Sequence, residues 1–119
     1  MQNHIITITV PHKTISWNQL YTAERWRRSK LVQEERETMG HLLKRKIPKL
    51  TERIDIEISQ FSKGPIVDSD NVCAKLWIDS LKDIQILKDD TPEYVRKVTT
   101  SSERAKENYT VLKIFSAPL

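Results

Sequence analysis

The stretch Ile54-Asp55-Ile56-Glu57-Ile58-Ser59 has the most regular pattern in the chain, with apolar and polar residues in strict alternation. Successive side chains of a β-strand point to opposite faces of a sheet, so the pattern predicts a strand with one buried face. The turn signal Gly64-Pro65 follows it, and the polar segment VDSDNVCAK, residues 67–75, comes next. We take this strand and the segment after it as the centre of the fold.

Period-two patterns predict three more strands. Isoleucine alternates with threonine over residues 5–10, which is typical of a strand. Residues 94–100 and 109–115 predict two further strands, separated by a solvated loop over residues 101–107. The polar residues 11–21 predict a surface loop that includes His12.

Two stretches predict helices. Residues 22–46 are rich in Glu, Arg, Leu and Lys, and Thr22 is a suitable N-cap. A second helix begins with Asp68 or Asp70 as its N-cap and has an apolar stripe at helical spacing. The stripe consists of Cys73, Leu76, Trp77, Ser80, Leu81 and Ile84. We therefore interpret Cys73 and Trp77 as core residues, not as a reactive thiol and a base-stacking platform.

The order of these elements is β-α-β-α-β-β. It predicts an α+β fold with a small mixed sheet and two main helices. A chain of 119 residues is long enough for one modest core and too short for two, so residues 1–119 are expected to form a single domain.

Composition narrows the class of protein. A charged fraction of 30% beside 38% hydrophobic residues fits a globular chain, and the net charge of +4 favours polyanionic partners weakly. One cysteine excludes an internal disulfide and a cysteine-rich zinc site. No apolar run approaches the ~20 residues of a membrane span, and the N-terminal residues lack the basic-then-apolar pattern of a signal peptide. We therefore expect no membrane association and a cytoplasmic location.

Four acidic residues form a candidate site for a divalent cation. Asp68 and Asp70 lie at a strand-to-helix junction, where extended backbone would direct both carboxylates to the same side. Asp89 and Asp90 follow the second helix and would add a carboxylate if both junctions lay at one edge of the sheet. Carboxylates with water suit Mg²⁺, and Lys75 could stabilise charge on a bound phosphate.

The same residues have an ordinary structural interpretation. Asp and Asn are common helix caps, Asp-Asp-Thr-Pro is a common turn, and Lys75 and Asp79 have the spacing of a surface ion pair. Spacing alone favours caps and turns, because Asp-x-Asp is a short motif with many chance matches.

The first turns of the long helix are basic, which opposes the helix dipole. This cluster is therefore a candidate for phosphate contacts, although its members could instead be solvated or paired with nearby glutamates. It consists of Arg25, Arg27, Arg28 and Lys30.

Beyond spacing, the chain resembles the RusA family of Holliday junction resolvases. The resemblance rests on Asp68-Ser69-Asp70-Asn71, then Lys75, Asp79-Ser80-Leu81 and Asp89-Asp90, with Asn18 and Tyr21 matching an Asn-x-x-Tyr motif before a basic helix. Specific motifs cover residues 66–92, and the layout is similar over most of the chain. Lys75 follows Asn71 by four residues where the family has three, which puts its role in question.

The resemblance implies a Mg²⁺-dependent endodeoxyribonuclease, with Mn²⁺ as an alternative cofactor. It also implies that the protein acts as a homodimer and resolves four-way junctions in branched double-stranded DNA by paired symmetric cuts. It implies that Asp68, Asp70 and Asp90 bind the metal, with Asp89 as a further ligand. Lys75 would assist catalysis, and Asn18 and Asn71 would contact DNA with the basic cluster. Three alternatives remain: a less specific flap or branch nuclease, a branched-DNA-binding protein with weak or no activity, and a scaffolding domain whose acids are only caps.

Overall fold

A computed structural model describes residues 3–66 and 68–117, so Val67 of the acidic segment and both chain ends lie outside the described residues. Four strands form one mixed sheet in the order β1-β4-β2-β3, in which β2 and β3 are parallel and the other neighbours are antiparallel. The elements in chain order are β1 (Asn3–Val10), α1 (Trp17–Thr22), α2 (Arg25–Leu43), β2 (Ile54–Ser62), a 3₁₀ turn (Ser69–Asn71), α3 (Ala74–Asp83), β3 (Val95–Arg104) and β4 (Tyr109–Ser116). The predicted α+β class and mixed sheet are confirmed.

The alternating stretch forms the first part of β2. Ile54, Ile56 and Ile58 are buried and share one core with side chains of α2, α3 and β4. Full burial of an isoleucine contributes about 1.5–3 kcal/mol, so this face accounts for much of the stability of the sheet. The opposite face differs from the prediction at Asp55, which is only 2% exposed. Its ion pair with Arg96 on β3 offsets the cost of burying the charge.

The loop predicted over residues 11–21 is wrong from residue 17 onward, because residues 17–21 belong to α1. Ser16 and Gln19 form a capping box: Gln19 N donates to Ser16 Oγ at 3.1 Å, and Ser16 N donates to Gln19 Oε1 at 2.8 Å. Thr22 therefore ends a helix and does not cap the next one. α2 begins at Arg25 and stops at Leu43, shortly before Arg45 takes a positive φ of 66°.

The predicted loop over residues 101–107 is also wrong at its start, because β3 continues to Arg104. β3 is an edge strand, so its sequence needs no apolar alternation to pair with β2. The ladder runs from Ile54↔Val95 to Ser62↔Arg104, and Ser101 Oγ lies 2.9 Å from Ser59 Oγ across it. Within the part of the chain that is described, no helix has the length and apolar character needed to cross a membrane.

A half-buried carboxylate holds the β1–α1 connection against α2. Oε2 of Glu35 lies 3.0 Å from His12 Nε2 and accepts hydrogen bonds from Thr14 Oγ1 at 2.9 Å and from Ile15 N at 3.4 Å. Burial acts to raise the pKa of Glu35, but the interactions with His12, Thr14 and Ile15 N together outweigh it, so the pKa lies below its usual value. His12 is thus a paired, half-buried residue and not the surface loop residue that we predicted.

Arg28 closes the corner between α1 and α2. Its Nε donates to Leu20 O at 2.8 Å, and its Nη2 donates to Tyr21 O and Ala23 O, both at 3.2 Å. These carbonyls belong to the end of α1, where helices leave acceptors without intrahelical partners. One of the four basic residues at the start of α2 therefore has a structural role.

We expect Glu35→Gln to lower the free energy of unfolding by about 1–2 kcal/mol at pH 7, because a charged acceptor of several hydrogen bonds is lost. The lowered pKa means that the ionised carboxylate stabilises the folded state fully above its ordinary pKa and less as pH falls through the lowered value. The difference between wild type and variant should therefore shrink below about pH 4.5. Urea unfolding at pH 7 and pH 3.5 measures this, with Glu37→Gln on the same helix as the control, and an equal difference at both pH values would contradict it.

We also expect Arg28→Ala to lower the free energy of unfolding by about 1–2 kcal/mol, since three carbonyls lose a charged donor. Arg27→Ala removes the same charge from an exposed neighbour and should change stability by less than about 0.5 kcal/mol. Urea unfolding of the two variants compares them directly. Equal effects would show that Arg28 does not stabilise the corner.

Candidate metal and nucleic-acid site

The acidic segment follows the carboxyl end of β2 in the chain and contacts the middle of β3. After β2 ends at Ser62, the chain reaches the 3₁₀ turn Ser69–Asn71, and Thr100 Oγ1 of β3 donates to Ser69 O at 2.7 Å. In open sheets with parallel strands, ligands bind outside the carboxyl ends of those strands. The segment therefore occupies a position suited to binding.

The backbone of this segment separates the two carboxylates. Asp68 has an extended conformation, but Asp70 lies within the 3₁₀ turn, which Asn71 N closes by donating to Asp68 O at 2.8 Å. A 3₁₀ turn rotates successive residues by about 120°, so Asp68 and Asp70 lack the same-side arrangement that extended backbone would give. Neither residue caps α3, because that helix begins at Ala74 with Cys73 in the N-cap position.

A hydrogen bond joins the acidic segment to the start of α1. Asn71 Oδ1 accepts from Asn18 N at 2.9 Å, which connects residues 53 positions apart. A groove of about 620 Å³ lies at this contact and is lined by Asp68, Asn71, Asn18, Gln19 and Lys13 among others. Lys13 also donates to Pro65 O at 3.4 Å, so the lining of the groove contains a cation as well as an acid. Asp68, Asn71 and Asn18 are thus brought together, whereas Asp70 does not line the groove.

Asp89 and Asp90 lie at the other end of α3. Lys82, in the last turn of that helix, is 3.6 Å from Asp89 Oδ1 and 3.5 Å from Asp90 Oδ1. The interaction with Asp89 lowers the pKa of Asp90, and the charge of Lys82 lowers it further, against the effect of desolvation. The ten residues of α3 span about 15 Å, so a helix length separates this pair from Asp70. The two junctions do not share one edge of the sheet, which the predicted four-acid arrangement requires.

The predicted ligands fit a divalent cation only in part. Among residues 3–66 and 68–117, no three histidine, cysteine, aspartate or glutamate side chains come together as a metal-binding group. Asp68 and Asp70 are exposed and form no ion pair with a described residue, so both are available. Mg²⁺ needs only one or two carboxylates when substrate phosphate and water supply the other ligands. Asp68 and Asp70 are each free to supply one such carboxylate, whereas Asp89 and Asp90 belong to a separate cluster with Lys82.

Lys75 forms the surface pair that its spacing allowed. Its Nζ is 3.6 Å from Asp79 Oδ2 across one turn of α3. Lys75 is exposed, and Asp79 is largely buried. The lysine therefore has a structural partner in the place where the resemblance assigns it a catalytic role.

The four basic residues of α2 divide into three kinds. Arg28 binds the end of α1, and Lys30 lies 4.0 Å from Glu34 in an exposed pair. Arg25 and Arg27 are exposed, and no described side chain forms an ion pair with either. These two arginines remain candidates for phosphate contacts.

Cys73 and Trp77 are both fully buried, which confirms that they are core residues. Burial raises the pKa of the Cys73 thiol to about 11, so the thiol stays protonated at neutral pH. The Trp77 ring packs edge-on against His12, with 6.1 Å between ring centroids.

A set of buried polar side chains near the end of the parallel pair was not predicted. Gln60 and Ser62 on β2, Ser102 on β3 and the Trp77 indole each have buried polar atoms without a hydrogen-bond partner among the described residues. Buried polar groups are usually satisfied, so this end of the core is unusually polar. Gln60 and Ser62 continue the inward positions of the isoleucines in β2, but polar residues beyond a clear alternation give no sequence signal of burial.

Comparison with known proteins identifies no family for this chain. No protein-family model matches the chain, and no curated protein matches it.

Proposed function

We propose that this protein is a metal-dependent endodeoxyribonuclease that acts on branched double-stranded DNA such as four-way junctions. The observation that supports the proposal is the hydrogen bond from Asn18 N to Asn71 Oδ1. It joins the two separate parts of the resemblance to the RusA family, Asn18-x-x-Tyr21 and Asp68-x-Asp70-Asn71, at one groove. Residues distant in sequence that meet at one place are a stronger basis for a site than either motif alone.

In the proposed site, Asp68 and Asp70 on the segment after β2 would each supply one carboxylate to Mg²⁺ or Mn²⁺, directly or through water. Such a cation supplies an activated water and charge neutralisation at the scissile phosphate. Asn71 fixes the turn against α1, and Lys13 in the lining of the same groove provides positive charge for the DNA backbone. Resolution of a junction requires two cuts, so we propose a symmetric homodimer that presents two sites to two strands. We place this activity in the cytoplasm.

A second candidate is a branched-DNA-binding protein with little or no nuclease activity. The ion pairs of Lys82 with Asp89 and Asp90 favour this second candidate. They occupy, at the far end of α3, two carboxylates to which the resemblance assigns the metal. The pair between Lys75 and Asp79 favours it for the same reason.

Cleavage of a synthetic four-way junction distinguishes the two candidates. Wild type with Mg²⁺ should make paired symmetric nicks that are absent from linear duplex and abolished by a chelator. Asp70→Asn should lower the cleavage rate by about 100-fold or more, because several kcal/mol of charge stabilisation are lost. Quantitative gel assays of both strands measure the rate.

Asp90→Asn is the matched variant, since it changes an exposed aspartate of the same predicted set. A much smaller loss with this variant is expected if Asp68 and Asp70 carry the metal alone. Tight junction binding without cuts would support the second candidate. A protein that neither binds nor cuts the junction would contradict both candidate functions.

A further inference from the structure

Two strongly exposed aromatic residues lie at the corner between α1 and α2. Tyr21 is 67% exposed and Trp26 is 69% exposed, whereas the other large exposed hydrophobic residues among those described, Ile66 and Val98, are aliphatic and lie elsewhere in the chain. Tyr21 and Trp26 are five positions apart and lie on either side of the α1–α2 connection. The corner thus presents aromatic surface to solvent.

Both rings are held in place. The Tyr21 ring stacks on Trp17, with 5.7 Å between centroids and 19° between planes, so one of its faces is supported. Trp26 Nε1 donates to Glu24 Oε2 at 2.6 Å. Arg28 fixes the corner through the carbonyls of Leu20, Tyr21 and Ala23. A ring that is already ordered loses little conformational entropy when a ligand stacks on it.

Positive charge flanks the exposed indole. Arg25 and Arg27 are the immediate neighbours of Trp26 on α2, and neither forms an ion pair within residues 3–66 and 68–117. Trp26 and Arg27 line a groove of about 550 Å³. Ile15 and Gln19 line both this groove and the one that contains Asp68, so the two grooves are adjacent.

We propose that the α1–α2 corner binds unpaired nucleotides of a DNA strand, with bases stacked on Trp26 and Tyr21 and phosphates contacted by Arg25 and Arg27. Aromatic rings with adjacent basic side chains are how proteins bind single strands without reading sequence. Bases in a duplex are stacked on each other and cannot reach such rings, so the ligand is a strand that has left the duplex. The direction of the strand, from the corner toward Asp68, rests on the proposed nuclease function, but binding at the corner does not.

Tryptophan fluorescence provides a direct test with a single-stranded oligothymidylate of twelve nucleotides as the probe. Trp77 is buried and Trp17 is partly buried, so quenching by the oligonucleotide should come mainly from Trp26. Trp26→Ala should remove most of the quenching and weaken binding roughly tenfold, as measured by fluorescence anisotropy of a labelled probe. Tyr21→Ala should weaken binding in the same way. An unchanged affinity in both variants would overturn the proposal.

The arginines are tested by the salt dependence of binding. Replacing both Arg25 and Arg27 with glutamine should reduce the slope of log K against log salt by about 1.4, since each single-strand phosphate contact contributes about 0.7. Replacing the exposed Lys44 and Lys46 with glutamine removes the same charge beyond the other end of α2 and should leave the slope unchanged. Equal changes in the two double variants would overturn the proposal in favour of a diffuse charge effect.

Two further readings separate this inference from the nuclease proposal. Oligothymidylate binding that depends on Trp26, in a protein that cuts no junction, would support the inference while the proposed function fails. If the protein cuts junctions but Trp26→Ala loses no oligothymidylate binding, the proposed function is supported and the inference fails. A change from dimer to monomer by light scattering in Trp26→Ala without DNA would show that the corner is a protein interface, which would overturn the inference.

Discussion

The parallel pairing of β2 and β3 determines how the two acidic pairs lie relative to each other. Two parallel neighbouring strands need a crossover that returns the chain to the end of the sheet where the first strand began, and here α3 makes that crossover. The helix must run opposite to both strands, so its start lies toward their carboxyl ends and its end toward their amino ends. Asp68 and Asp70 precede the helix and Asp89 and Asp90 follow it. The topology therefore places the two acidic pairs about one helix length apart.

Each acidic pair then has a different local chemistry. Asp89 and Asp90 meet Lys82 at the end of α3, where a cation is also favoured by the helix dipole. Asp68 and Asp70 form no ion pair among the described residues, and Asp68 lines a groove together with Asn18 and Gln19 of α1. Asp68 and Asp70 are therefore available to an external cation, whereas the charge of Lys82 partly neutralises Asp89 and Asp90. A metal site on this chain therefore depends on the carboxylates of Asp68 and Asp70 and on ligands from a bound phosphate.

The fold was predictable where burial imposes a period on the sequence. The alternating isoleucines of β2 and the stripe of α3 each bury one face, and both were assigned correctly, including Cys73 and Trp77. α1 was missed because six residues are too few to show a period, although Ser16 and Gln19 carry its capping box. The end of β3 was missed because an edge strand can be polar throughout.

The site was less predictable, because its geometry depends on backbone and tertiary contacts that leave no pattern. The Asp-x-Asp spacing is compatible with extended or 3₁₀ backbone, and only the first would align the carboxylates. Likewise, four basic residues at the start of α2 are equivalent in sequence, and the carbonyls at the end of α1 select Arg28 from among them. The network of Glu35 with His12 and Thr14 joins residues more than twenty positions apart, which a single sequence cannot reveal.

The element that prediction missed connects the two surfaces on which function is proposed. Gln19 completes the capping box of α1, and its side chain lines both the groove at Asp68 and the groove at Trp26. Asn18, one residue earlier, donates to Asn71 of the acidic segment, and the end of α1 receives Arg28. A helix of six residues is marginal by itself, so α1 is held by these contacts at both ends. The acidic groove and the aromatic corner are therefore positioned by one short helix, and a change that unfolds α1 would disturb both together.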